Sequence, residues 1–64
     1  MNKNEKVKLL AVKLKHAAEL LGVSQVSLRR KIESGEIAAC RAFRHVLIRV
    51  SELERFLAAN TVNH

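Results

Sequence analysis

The stretch Val12-Lys-Leu-Lys-His-Ala-Ala-Glu-Leu-Leu-Gly-Val-Ser24 decides the architecture of this chain. Leu14, Ala17, Ala18 and Leu21 fall at i, i+3, i+4 and i+7, which places them on one face of a helix running from about Lys15 to Leu21. Gly22 follows where a left-handed residue closes a helix. Ser24 then offers a hydroxyl to cap a second helix, with Val23 before it placed to staple onto Leu28. Leu28 and Ile32 extend the buried stripe at i, i+4, and Ser34-Gly35 ends the second helix. Two short helices joined through Leu21-Gly22-Val23-Ser24 form a helix-turn-helix connection, although the same pattern also fits an ordinary helical hairpin.

Downstream, Ile37 to Ala42 and Val46 to Val50 are short β-compatible runs separated by Phe43-Arg44-His45, which predicts a hairpin. Its tip carries no Gly, Asn or Asp, the residues that favour tight hairpin turns. Ser51-Glu-Leu-Glu54 reads as a capping box, Ser51 at the N-cap and Glu54 three residues on. Leu53, Phe56 and Leu57 give that third helix an apolar face, which fades by about Ala59. Upstream, Lys8 to Val12 reads as a short strand or an extended lead-in. These boundaries divide the chain into a flexible N-terminal tail (1–7), one folded domain (8–58) and a C-terminal tail (59–64).

Sixty-four residues hold one domain at most and leave little room for an enclosed catalytic pocket. An apolar content of 48% suffices for a small core, packed by Leu, Ile, Val and Ala because the aromatics are only Phe43 and Phe56. Twelve Lys and Arg against six Asp and Glu give +6, a charge that favours a polyanion: nucleic acid or an anionic membrane surface. The basic residues are not confined to one face of a single long helix, which weighs against the membrane. Cys40 is the single cysteine and reads as a small packing residue; no metal site or cofactor is implied. His16, His45 and His64 are scattered without an acid–base constellation, so no enzyme is expected. Without a signal peptide or a long apolar stretch, the expected location is cytoplasmic.

With Leu28, Ile32, Ser34-Gly-Glu-Ile37, Arg41, Arg44, Val46-Leu-Ile48 and Leu53 to Leu57, the opening stretch resembles the excisionase-like, MerR-related winged helix-turn-helix family over residues 10–58. The fold that this implies is mainly α with a small β-hairpin. Departures from the pattern are Lys13 where a Thr or Ser often caps the first helix, Lys31 on the second helix, Ala38 in place of a frequent Pro, and Phe43 at the usual wing-tip Gly.

The resemblance implies double-stranded DNA as partner, with the N-terminal part of the second helix entering the major groove. With Leu28 and Ile32 turned inward, Val26, Arg29, Arg30 and Glu33 lie on the outer side, flanked by Gln25 and Ser27. On chemistry, Gln25 suits adenine, Arg29 or Arg30 guanine, and Val26 a thymine methyl. Ser27 and the helix N-terminus suit phosphate, and Ser24, the N-cap, belongs to the same DNA-binding set. In the wing, Arg41, Arg44 and His45 are placed for the flanking minor groove or backbone, and His45 equally for a plain polar surface. Lys13 and Lys15 are further phosphate candidates, and Phe43 is expected to pack beneath the hairpin.

The function that the family implies is that of an excisionase, a recombination directionality factor. Such a protein binds cooperatively near the attachment site of a prophage or other mobile element, bends the DNA and assists an integrase of the tyrosine recombinase class. The residues after Leu57 are the candidate integrase contact. A small transcriptional regulator of the same fold would use the same side chains. A third reading, a protein-binding inhibitory module, would not need Arg29 and Arg30.

Overall fold

A computed structural model describes residues 9–62. The expected N-terminal tail (1–7), Lys8 and the last two residues lie outside the described residues. In chain order the elements are β1 (Ala11–Lys13), α1 (Leu14–Leu21), α2 (Gln25–Glu33), β2 (Cys40–Ala42), β3 (His45–Arg49) and α3 (Val50–Ala59).

The helix-turn-helix forms as the sequence predicts, with local hydrogen bonds closing α1 and opening α2. Gly22 sits at φ 73°, a left-handed conformation that costs glycine little. Its N–H donates to the Glu19 carbonyl at 3.1 Å, while the Val23 N–H donates to the Ala18 carbonyl at 3.0 Å. This pair is the Schellman closure, and it satisfies carbonyls that α1 cannot. Ser24 Oγ then accepts the Ser27 N–H at 3.1 Å, capping α2. The second helix ends in the same way at Gly35, φ 85°, with Glu36 N–H donating to the Lys31 carbonyl at 3.0 Å. At α1, Lys13 occupies the N-cap and makes no side-chain cap bond, so that helix begins at Leu14 without the usual hydroxyl.

The sheet is larger than a hairpin. Three antiparallel strands lie in the order β1-β3-β2, with β3 central. Val12 pairs with Ile48 across β1 and β3, and both are buried. The edge strand is therefore shifted from the expected Lys8 to Val12: it runs over Ala11–Lys13 and adds Val12 to the core, while Leu9 and Leu10 stay outside it and exposed. The second strand starts later than the sequence suggests: Ile37 to Ala39 form a loop, yet Ile37 is only 1% exposed. Its apolar character comes from core packing and not from a strand.

The wing turn is shorter than Phe43-Arg44-His45. Ala42 pairs with His45, so Phe43 and Arg44 alone make the reversal, at φ 54° and 65°. Positive φ at both central positions is what a two-residue hairpin with right-handed strand twist requires. Without glycine, such a conformation costs about 1–2 kcal/mol per residue. Phe43 does not pack beneath the hairpin; it is 86% exposed at the tip. Cys40, expected as a packing residue, is exposed as well.

Val12, Ala17, Ala18, Leu28, Ile37, Ile48 and Leu53 form the core, drawn from every element except β2. Leu28, Ile37 and Ile48 are almost fully enclosed, and each contributes about 1.5–3 kcal/mol by leaving water.

The third helix begins at Val50, with Arg49 as its uncapped N-cap, so the Ser51–Glu54 capping box does not form. Ser51 lies inside the helix because β3 runs directly into α3, leaving no free residue for a cap. Glu52 has a different task. Its Oε2 accepts the Ala38 N–H at 2.9 Å, and Arg55 donates to both of its oxygens at 2.9 and 2.7 Å. Arg55 Nη2 also donates to the Glu36 carbonyl at 2.8 Å. The two side chains thus clasp the 36–38 loop to α3, which fixes where β2 and the wing leave the core. The Arg55 guanidinium, with the Ala38 N–H, holds the Glu52 carboxyl down at about 2 against an ordinary 4.5.

Candidate nucleic-acid interface

All nine side chains expected to meet DNA are exposed: Ser24, Gln25, Val26, Ser27, Arg29, Arg30, Arg41, Arg44 and His45. Burial of Leu28 fixes the rotation of α2. At 100° per residue, Arg30 then stands opposite the core, with Val26 beside it on the crest. Arg29 lies on the flank toward the sheet, and Ser27 with Lys31 on the flank toward α3.

The sheet-side flank meets the wing. Arg29 and Arg41 line one open cleft of about 440 Å³ between α2 and β2, with Glu33, Ala39 and Cys40 on its rim and Leu14, Ile32 and Val46 half-buried within it. Strand alternation explains why Arg41 is there. It pairs with Val46, and Val46 shares its face of β3 with buried Ile48, so Arg41 projects from the side of the sheet that faces the helices.

The three wing residues do not converge. Arg44 is at the tip, whereas His45 pairs with Ala42 and shares the opposite sheet face with Leu47 and Arg49. Lys13, paired with Leu47, also belongs to that far face. His45 therefore stands away from the cleft that joins Arg29 to Arg41.

Near the N-terminus of α2, Ser24 Oγ is engaged twice, accepting the Ser27 N–H and donating to Ser27 Oγ at 2.9 Å. The Ser27 hydroxyl proton is left for an outside acceptor. Lys31 is drawn the other way. Its Nζ lies 3.3 Å from Glu36 Oε2, and Ser34 Oγ donates to that same oxygen at 2.9 Å. The Ser34 hydroxyl, followed by Lys31, pulls the Glu36 carboxyl below its ordinary range. Among the described residues the ion pairs are Lys31–Glu36 and Glu52–Arg55, and neither involves Arg29, Arg30, Arg41 or Arg44.

Sequence reasoning missed the Glu52–Arg55 clasp, which positions the wing without touching the cleft. Its i,i+3 spacing is legible as a helical ion pair, but the loop amide and carbonyl that complete it are distant in sequence. Glu33 on the cleft rim was placed on the outer side of α2, and its nearness to Arg41 emerges only from the packing.

Residues 12–61 match a family described as a helix-turn-helix domain, associated with excisionase-like proteins. The chain belongs to this family and is a DNA-binding helix-turn-helix protein with a winged, excisionase-like fold. No curated protein and no solved structure matches it. No helix among the described residues is long and apolar enough to cross a membrane.

Proposed function

We propose that this chain is an excisionase: a sequence-specific architectural protein, without catalysis of its own, that binds next to an attachment site and bends the DNA for an integrase. The observation that carries the reading is the cleft where α2 and the wing meet, with Arg29 and Arg41 on its two walls. A phosphate strand crossing its mouth would meet the recognition helix on one wall and the wing on the other. Arg30 and Val26 on the crest, with Gln25 near the helix start, read base edges; Arg29 serves either a guanine or a phosphate. Ser27 and the helix N-terminus anchor phosphate, with Ser24 holding the Ser27 hydroxyl in place for it. Arg41 and Arg44 hold the flanking backbone or minor groove, and His45 adds a weaker contact from the far face.

One small module offers limited contact area, so cooperative binding of several copies supplies the affinity. Bending the site by 40–90° costs on the order of 1–6 kcal/mol, which those copies together offset. The integrase is of the tyrosine recombinase class, the tail after Leu57 is its candidate contact, and the working location is the nucleoid.

The test is reconstituted excision with an integrase encoded beside the gene. The reading predicts that excision depends on this chain and that Arg29→Ala with Arg30→Ala abolishes the dependence. Excision that proceeds equally without it, alongside binding at a promoter, would make the chain a transcriptional regulator.

A further inference from the structure

Among the described residues Phe43 has the highest exposure of the large apolar side chains, 86%, and stands outside the core cluster and everything packed on it. Its backbone is left-handed, as is that of Arg44 beside it. A turn that would form more easily with glycine instead carries an aromatic ring and a guanidinium, both held out at the tip by strand pairing from Ala42 to His45. This placement gains the fold nothing, and it points to a partner.

Resting on the DNA-reading surface proposed above, we propose that Phe43 is an apolar wedge that enters the minor groove beside the α2 site and opens a base step, with Arg44 steering the tip into that groove. Arg41 marks the edge of the cleft, and Phe43 lies two residues further out, just past the end of β2 in the turn, at most about 7 Å on. From a helix seated in the major groove, that reach carries the tip over the intervening phosphate backbone to the adjoining minor groove, which is only about 6 Å wide. Apolar side chains inserted between base steps unstack them and kink the duplex, while the negative potential of a narrow minor groove attracts arginine. The wedge gives a single small module a local means to bend DNA.

A second copy of the chain is the competing occupant. An apolar groove lined by Leu21, Val23, Phe56 and Leu57 lies on the other flank of α2. Lys31 lines that groove with its ammonium already paired to Glu36, so a tip carrying Arg44 finds no free anion there, whereas on DNA it meets phosphate. Charge favours the duplex.

The experiment uses the full chain and short duplexes carrying the sequence recovered from a random pool, with 2-aminopurine placed at successive steps beside the α2 site. The wild-type chain should raise 2-aminopurine fluorescence several-fold at one step, and energy transfer between the duplex ends should report a bend. Phe43→Gly should lose both signals and bind several-fold more weakly, while Phe43→Leu keeps part of each. Glycine suits the turn, so Phe43→Gly should melt no lower than wild type, and its loss of bending cannot come from unfolding. Unchanged unstacking and bending in Phe43→Gly would overturn the wedge while leaving the DNA-reading surface intact. So would an unchanged bend on an isolated site with loss of side-by-side cooperativity, which would assign Phe43 to a second copy. Failure of the wild type to bind any duplex saturably would overturn the reading surface and the wedge together.

Discussion

The two tight turns of this protein reverse the chain by similar left-handed geometry and differ in what supplies it. At the helix-turn-helix, Gly22 takes φ 73°, and Val23 N–H and Ser24 Oγ complete its hydrogen bonding. At the wing, Phe43 and Arg44 take φ 54° and 65° without glycine, and the strands on either side hold them there. The first turn is built from residues that prefer its conformation. The second is imposed by pairing along β3 and carries side chains chosen for the surface. A turn that serves the fold is made of cheap local parts, whereas one that serves a partner can bear strain that the rest of the structure holds in place.

The comparison breaks at its root if the sheet does not hold the wing. Ile48 is fully buried on β3, between both edge strands. Ile48→Ala should cost about 2–5 kcal/mol, enough to unfold much of so small a domain, as read by urea denaturation. Next come the turns themselves. Gly22→Ala meets no neighbouring atom but must adopt φ 73°, so it should destabilise by about 1–2 kcal/mol. Phe43→Gly should do the reverse and stabilise by about 0.5–1 kcal/mol in thermal melts, since glycine accepts positive φ readily. Equal signs for these two substitutions would erase the distinction between the turns.

The smallest effect concerns the clasp that sets the wing's exit. The Glu52 carboxyl, bound by Arg55 and the Ala38 N–H, titrates near 2 in the folded chain and near 4.5 without them. A depressed carboxyl of this kind stabilises fully above its ordinary value, and the contribution fades as pH falls from about 4.5 toward about 2. Glu52→Gln should therefore flatten the loss of stability across that interval while also lowering the plateau above it. An unchanged acid profile in that variant would remove the clasp from the account.

How much of this could be read from the residues follows the same division. The helix-turn-helix was legible because periodicity, Gly22 and the Ser24 cap agree within about a dozen residues. The exposure of Arg29 and Arg30 followed from Leu28 and Ile32 by helical geometry alone. Beyond that segment, contacts are distant in sequence and the signals misled. Ile37 looked like strand because it is apolar, but it is a core residue in a loop. Ser51 and Glu54 looked like a cap, but β3 enters α3 with no gap for one. Phe43 looked like core because it is aromatic, and the turn turned it outward. The opposed faces of Arg41 and His45 depend on a strand register that only the pairing with β3 defines.

The most direct measurement of the central claim, that α2 and the wing cleft together read duplex DNA, is selection from a random duplex pool followed by salt titration of the recovered site with wild-type, Arg30→Ala and Arg41→Ala chains. The account predicts one enriched motif and a log–log salt slope of about −5 for six phosphate contacts. Arg30→Ala should lose about 1–3 kcal/mol with relaxed preference at one base, and Arg41→Ala should weaken all sequences alike with a shallower slope. No enrichment, or full affinity in both variants, would contradict it.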